Sequence, residues 1–146
     1  MRYLFFSLIC ILICIPDILK AQSDREGNHC AVQKSPFKIS MDSGKIVYSN
    51  KCLSCHQSNG LGIEGINPPL NGKLVTGNKT KLIGMIVNGQ HSQREIDGKL
   101  YQNIMHGNVE IKDQEIAYLL TFIRNSFGNR ASSVKVTEVI LARKKL

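Results

Sequence analysis

The sequence predicts a small all-α domain in which helices are joined by long loops. Apolar side chains recur at helical spacing near the end of the chain, on Ile116, Leu119, Leu120, Ile123 and Phe127. A glycine-rich stretch without such periodicity, residues 60–65, predicts a long loop. The 146 residues suffice for one compact domain, and 42% apolar against 21% charged residues argues against wholesale disorder.

Residues 1–21 have the pattern of a secretory signal peptide. Arg2 precedes an apolar run of 13 residues, 3–15, and Ala21 offers a small residue for cleavage. A spanning helix needs roughly 20 apolar residues, so this run is too short to cross a membrane, although an uncleaved signal can act as a loose anchor. We therefore expect a periplasmic or otherwise exported protein with no stable membrane span after cleavage.

The remainder of the chain divides into a lead-in, a main domain and an extension. The lead-in, residues 22–40, is polar and aperiodic, so we expect it to be flexible; its Cys30 has no evident partner. The main domain covers residues 41–129. The basic extension, residues 130–146, predicts a short helix over 137–146. The residues expected to pack back from that helix are Val139, Ile140 and Leu141.

Local patterns predict the elements of the main domain. A first helix is expected over residues 43–55, a short apolar helix over 79–88, and a last core helix that is ended by Gly128. Between the second and third helices, the pair Asp97-Gly98 predicts the tight turn of a small hairpin.

The first helix ends in Cys52-Leu53-Ser54-Cys55-His56, the C-x-x-C-H pattern of covalent c-type haem attachment. Residues three apart share a face of a helical turn, so both thiols can reach the two vinyl groups along one haem edge. The adjacent His56 then becomes the proximal iron ligand. Two alternatives remain open, a plain disulfide and a thioredoxin-type redox pair. A zinc site would need a second ligand pair, and none occurs at such spacing.

An iron that cycles electrons without binding small molecules needs a sixth ligand from the protein. The candidates are Met41, Met85, Met105, His29, His91 and His106. Met105 is the best placed, because it lies 49 residues after His56 in a loop before the last core helix. Met85 lies in an apolar stretch that is expected to be core.

The order of four motifs resembles that of the class I monohaem cytochromes c, of the bacterial type found as soluble carriers and as haem subunits of dehydrogenases. The motifs are Gly44-Lys45-Ile46-Val47-Tyr48 leading into Cys52 to His56, Asn67-Pro68-Pro69-Leu70, Gly98 to Met105, and Asp113 to Asn129. The resemblance implies a small cytochrome c fold, with helices wrapped around one covalently bound haem.

The resemblance also implies a role for each matching residue. Cys52 and Cys55 would bind the haem covalently, and His56 and Met105 would be the axial ligands of its iron. Pro68 would offer its backbone carbonyl to the ring N–H of His56, which orients the ring and raises its basicity.

Four further residues have packing roles in the same resemblance. Leu70 and Tyr101 would line the haem pocket. Gly44 and Tyr48 would lie where the first helix crosses the last one, the glycine permitting close approach and the aromatic ring filling the gap.

The resemblance implies a one-electron carrier that works between a respiratory complex or dehydrogenase and an oxidase, and that is not itself an enzyme. A departure from the family pattern is His106, which stands beside Met105 where proline is common. The alternative function is therefore a haem sensor or peroxidase-like protein with an open or labile sixth iron position.

Charge suggests the kind of partner. Loss of residues 1–21 would lower the net charge from +8 to +7, and a basic surface can steer the protein to acidic docking patches on redox proteins. Export and the lack of interleaved aromatic residues argue against nucleic acid as a partner. We expect a monomer.

Overall fold

Helices dominate residues 34–146, the part of the chain that the computed structural model describes. The helices are α1 (Pro36–Lys51), α2 (Leu53–His56), α3 (Lys73–Thr76), α4 (Lys79–Asn88), α5 (Asp113–Ile123) and α6 (Val136–Arg143). The strands form two small antiparallel pairs, β1 (Gly89–Gln90) with β4 (Met105–His106) and β2 (Arg94–Ile96) with β3 (Lys99–Tyr101). The predicted fold class is confirmed. The predicted signal peptide and Cys30 lie outside the described residues.

Helix α1 begins earlier than predicted, at Pro36 instead of Ser43. Ser35 is its N-cap, with a side chain that accepts a hydrogen bond from the Lys38 N–H at 3.2 Å, and Pro36 occupies the first helical position. The prediction of a flexible lead-in is therefore wrong for residues 36–40, because it neglects this capping signal. The helix stops at Lys51, and the haem-attachment motif forms the separate turn α2.

The core is built where α1 crosses α5. A Cβ atom on Gly44 would lie 2.1 Å from the Tyr118 carbonyl oxygen, so only glycine allows this approach. One turn later the ring of Tyr48 packs 5.6 Å from that of Phe122 and 5.2 Å from that of Phe127. The crossing that was predicted for Gly44 and Tyr48 is confirmed.

Helix α4 has the predicted bounds because its ends are set locally. The Asn78 side chain accepts a hydrogen bond from the Lys81 N–H at 3.0 Å, and Gly89 ends the helix with a φ of +81°. The predicted hairpin is also present between β2 and β3. Its two turn residues, Asp97 and Gly98, have φ values of +50° and +76°, as a type I′ turn requires.

Helix α5 is shorter than predicted. Its buried face includes Ile116, Leu119, Leu120 and Ile123. The helix ends at Ile123, however, and Phe127 lies beyond it with a φ of +57°. Phe127 reaches the same core through a turn, so its helical spacing from Ile116 is a coincidence of the pattern.

Helix α6 confirms the predicted C-terminal helix and corrects its buried face. Val139 and Ala142 are buried, whereas Ile140 and Leu141 are 39% and 58% exposed. Residues three apart share one face of a helix, so Val139 and Ala142 pack together while the two residues between them point away. Within residues 34–146, no helix combines the length and the apolar composition needed to cross a membrane.

Candidate functional site

A cavity of about 330 Å³ lies among α2, α4, α5 and the loops between them. Its apolar wall is formed by Leu74, Val75, Leu82, Ile86, Leu119, Leu120 and Ile123. This volume lies in the range of small-molecule and cofactor pockets. All seven predicted site residues, Cys52, Cys55, His56, Pro68, Leu70, Tyr101 and Met105, line this one cavity.

The motif Cys52 to His56 forms the turn α2 at the cavity. Both cysteines carry free thiols; Cys52 is half-buried and Cys55 is exposed. Burial is the main cause that raises the pKa of Cys52 to about 11, with a smaller contribution from Cys55. An attacking cysteine of a redox pair has a lowered pKa, so Cys52 does not have the environment of such a nucleophile.

His56 is oriented by a backbone carbonyl. It is only 8% exposed, and its Nδ1 atom lies 2.9 Å from the carbonyl oxygen of Pro68. A carbonyl can only accept, so Nδ1 carries the proton and Nε2 keeps its lone pair. Burial lowers the pKa of His56 and the hydrogen bond to Pro68 opposes it; the net shift favours the neutral ring that binds metals.

The glycine-rich loop brings Pro68 to His56. A Cβ atom on Gly62, which has a φ of +64°, would lie 2.2 Å from the Asn67 carbonyl oxygen and 2.7 Å from that of Pro68. The Leu70 N–H donates to the Gly60 carbonyl oxygen at 2.7 Å and closes the loop. The glycines thus allow the chain to fold back tightly enough to place one carbonyl against the histidine ring.

Met105 reaches the same cavity from the short strand β4. It is half-buried against the core and pairs with Gln90 in β1. Glycine is required next to this pair, opposite His106, because a Cβ atom on Gly89 would lie 2.3 Å from the Met105 carbonyl oxygen. Its neighbour His106 is more exposed than Met105 but lines the same cavity, so a second imidazole stands beside the methionine.

The other candidate ligands are less well placed. Met85 lines the cavity, which corrects its prediction as plain core, but its sulfur already accepts a hydrogen bond from Arg94 Nη1 at 3.4 Å. His91 is exposed and its Nε2 lies 2.8 Å from the Asn88 carbonyl oxygen. Met41 lies in α1, away from the cavity lining. His29 is outside the described residues.

Sequence reasoning missed a polar side of the cavity. Arg94 lines it together with Gln90 and Ser92, and Gln90 Nε2 donates a hydrogen bond to Ser92 Oγ at 2.9 Å. Sequence reasoning also missed a contact between the loop that carries Pro68 and the segment that precedes Met105. In this contact Asn103 Nδ2 donates a hydrogen bond to Asn67 Oδ1 at 2.8 Å. No local pattern marks this arginine or two asparagines that are 36 residues apart, so only the fold could reveal them.

The donor set fits a c-type haem. Two thiols, an oriented imidazole and a thioether sulfur line one apolar cavity, and His with Met is an axial pair that haem iron takes in cytochromes c. Among the described residues, no group of three or more His, Cys, Asp and Glu side chains could hold a metal ion by itself.

Comparisons of the sequence with known proteins show its family. The family model described as cytochrome c matches residues 41–127. Cytochrome c-552 of Thermus thermophilus is 36% identical over 97 residues, which are 63% of this chain and 72% of the relative. A second cytochrome c-552 of the same species is 34% identical over 102 residues, 66% of this chain and 68% of the relative.

The cytochrome c subunit of a quinone alcohol dehydrogenase from Gluconacetobacter polyoxogenes is also similar, at 31% identity over 90 residues. The match covers 60% of this chain but only 19% of that subunit. The matched family binds haem c covalently and transfers electrons. This chain therefore belongs to the cytochrome c family.

Proposed function

We propose that this protein is an exported one-electron carrier with a single haem c, held by thioether bonds from Cys52 and Cys55 and ligated by His56 and Met105. The observation that carries the proposal is the presence of the oriented imidazole and the methionine sulfur on one apolar cavity beside the two thiols. The haem, when bound, supplies an iron that gains and loses one electron.

The protein side of electron transfer is a fixed environment. Pro68 holds the His56 ring at the cavity through Nδ1, which leaves Nε2 as the nitrogen that would bind the iron. A methionine sulfur together with a histidine nitrogen would favour the reduced iron relative to two nitrogen ligands, which suits a carrier of higher potential. The apolar wall excludes water, so little solvent has to reorganise when the charge changes.

The charge of the site supports a redox partner with an acidic docking patch. Among the described residues that line the cavity, the charged ones are Lys51 and Arg94, and both are cations. Such a distribution steers association with a negative surface. A dehydrogenase or an oxidase of a respiratory chain in the periplasm fits this role, and one relative is the cytochrome c subunit of a quinone alcohol dehydrogenase. The rate of oxidation by an anionic complex such as ferricyanide should fall as salt is raised, and an unchanged rate would argue against steering.

The ligand assignment is tested on protein produced in a host that matures c-type haem. A c-type pyridine haemochrome is expected, together with an absorbance band at about 695 nm in the oxidised protein, which reports iron bound to methionine sulfur. Met105→Leu removes the sulfur at nearly constant volume and should abolish the band. Met85→Leu is the matched control, since Met85 lines the same cavity, and it should keep the band.

The same experiment separates the alternatives. Met105→Ala should keep the covalent haem and let carbon monoxide bind the reduced iron, whereas the unaltered protein should resist it. A c-type haemochrome without the band in the unaltered protein would instead favour His106 ligation or an open iron, as in a sensor or peroxidase-like protein. Absence of covalent haem would contradict the roles of Cys52 and Cys55.

A further inference from the structure

The extension contributes a side chain to the loop that follows Met105. Arg143, near the end of α6, donates through Nη1 to the Val109 carbonyl oxygen at 3.1 Å and through Nη2 to that of Ile111. Its Nε lies 2.6 Å from Asp113 Oδ1 at the start of α5, where the two groups pair by charge rather than by a hydrogen bond. The Arg143 guanidinium therefore contacts both the loop after Met105 and the start of helix α5.

The Arg143–Asp113 ion pair is partly sheltered from solvent, whereas Val109 is 65% exposed. The side chains of Arg143 and Asp113 are 26% and 33% exposed, so solvent screens their attraction less than it screens a surface ion pair. The planar guanidinium presents several donors in a fixed arrangement, which lets it satisfy two carbonyls and a carboxylate at once. A lysine at the same place could pair with the carboxylate but could not bridge all three groups.

The loop held by Arg143 directly follows Met105 in the chain. Only three residues separate Met105 from Val109, and between them the Asn108 N–H donates to the Ile86 carbonyl oxygen at 2.8 Å. The next anchor is Ile111, which is buried and lines the cavity. The segment after Met105 is thus bound to α4 through Asn108 and to Arg143 through the carbonyl oxygens of Val109 and Ile111.

Helix α6 is itself firmly attached to the core, so it can serve as a support. Val139 is fully buried, and Lys79 Nζ lies 3.0 Å from Glu138 Oε1. Thr121 Oγ1 accepts a hydrogen bond from the Val134 N–H at 3.0 Å just before the helix. The family model matches residues 41–127, so this support lies beyond the matched part of the chain.

We propose that Arg143 is a positioning residue, which holds the loop of residues 107–111 against the core and thereby keeps the Met105 sulfur at the iron. The proposal rests on the proposed ligation by Met105. We call the three contacts of Arg143 with Val109, Ile111 and Asp113 the brace. When the brace is removed, the protein still folds, but Met105 leaves the iron at a lower temperature than the one at which the protein unfolds.

The test uses the haem-loaded full chain and the variants Arg143→Gln, Arg143→Lys and Lys144→Gln. The last is the matched control, because it removes a positive charge from the adjacent, exposed position. The band at about 695 nm is followed on heating, and far-ultraviolet circular dichroism follows unfolding in the same samples. In Arg143→Gln the midpoint for loss of the band should fall well below the unfolding midpoint, with Arg143→Lys intermediate and Lys144→Gln unchanged.

Two further readouts report on the loop itself. Carbon monoxide should bind the reduced Arg143→Gln protein at least about tenfold faster than the unaltered protein, because the loss of even one charge-assisted hydrogen bond to the loop would let Met105 leave the iron more often. Hydrogen–deuterium exchange of the Asn108 and Ile111 amides should accelerate in Arg143→Gln and not in Lys144→Gln.

The outcomes separate the two proposals. If the unaltered protein lacks the band, ligation by Met105 is wrong, and the proposed role of Arg143 is wrong as well. If the band is present but Arg143→Gln behaves as Lys144→Gln does, the brace is overturned while the ligation stands. Equal shifts of the band and of unfolding would also overturn it, since Arg143 would then only stabilise the fold.

Discussion

Replacing Gly44 by alanine should separate the two helices that form the core. The added Cβ atom would lie 2.1 Å from the Tyr118 carbonyl oxygen and 2.6 Å from Phe122 Cβ, where ordinary contact begins at 3.4 Å. The helices α1 and α5 would therefore have to move apart by about 1.3 Å. Neither atom belongs to a flexible side-chain end, so the clash cannot be relieved by a rotamer change.

The size of the effect follows from two opposing contributions. Overpacking of a core costs about 1–3 kcal/mol, and a clash with backbone belongs at the upper end of that range. Alanine offsets about 1 kcal/mol of this, because it is the better helix former. The net loss in the free energy of unfolding is about 2 kcal/mol. For a domain of this size that lowers Tm by roughly 8 °C.

The assay is thermal unfolding of the haem-loaded protein, followed by far-ultraviolet circular dichroism. Gly84→Ala is the matched control, since Gly84 also lies within a helix and its added Cβ would meet only the terminal Cδ2 of Leu146 at 3.2 Å. That methyl group can move aside, so Gly84→Ala should leave Tm unchanged or raise it slightly. A Gly44→Ala protein that unfolds at the Tm of the unaltered protein would refute the argument from the helix crossing.

Two other predictions concern single contacts. The Tyr48 hydroxyl donates to the Gln57 carbonyl oxygen at 2.5 Å, so Tyr48→Phe should lower the free energy of urea unfolding by about 1 kcal/mol with an unchanged m value; no loss would show that water replaces the bond fully. The Lys135 N–H, and secondarily Lys79, hold the pKa of Glu138 below its ordinary value of 4.5. The stability gained from the charged form is present above that ordinary value and is lost as pH falls through the lowered one. The Tm difference between the unaltered protein and Glu138→Gln should therefore close as pH falls from about 6 to about 3, and a constant difference would contradict it.

Local signals explain which elements the sequence could predict. The bounds of α4 are set by a capping asparagine and a terminating glycine, and the hairpin by Asp97-Gly98, all of which are visible in the sequence. The start of α1 is equally visible in Ser35-Pro36, although the apolar pattern alone does not reveal it.

Phe127 shows the limit of periodicity, because it packs beside the core helix from outside it. A Cβ atom on Gly60, 67 residues earlier, would lie 2.3 Å from Cγ of the Phe127 ring. The ring occupies space that a distant glycine leaves open, and a search for helical spacing assigns the residue to the helix for the wrong reason.

In the candidate site, too, some residues are predictable from a local pattern and others are brought together only by the fold. The haem-attachment motif is a local pattern, since its chemistry requires two thiols and an imidazole within one turn, and the structure places that turn at the cavity. The fold alone brings Arg94 and the Asn67–Asn103 pair to the site. No pattern in the sequence around these residues predicts that they line the cavity.

The position of Met105 depends on tertiary contacts more than that of His56 does. His56 belongs to a helical turn and is oriented by one carbonyl, whereas β4 has only two residues and a strand of that length does not hold its own geometry. The close approach at Gly89, together with the brace proposed for Arg143, would supply the missing constraint from other parts of the chain. Substitutions remote from the iron should therefore weaken the methionine bond before they affect the histidine bond. In the proposed ligation, the extension is then one of the parts of the chain on which the sixth ligand depends.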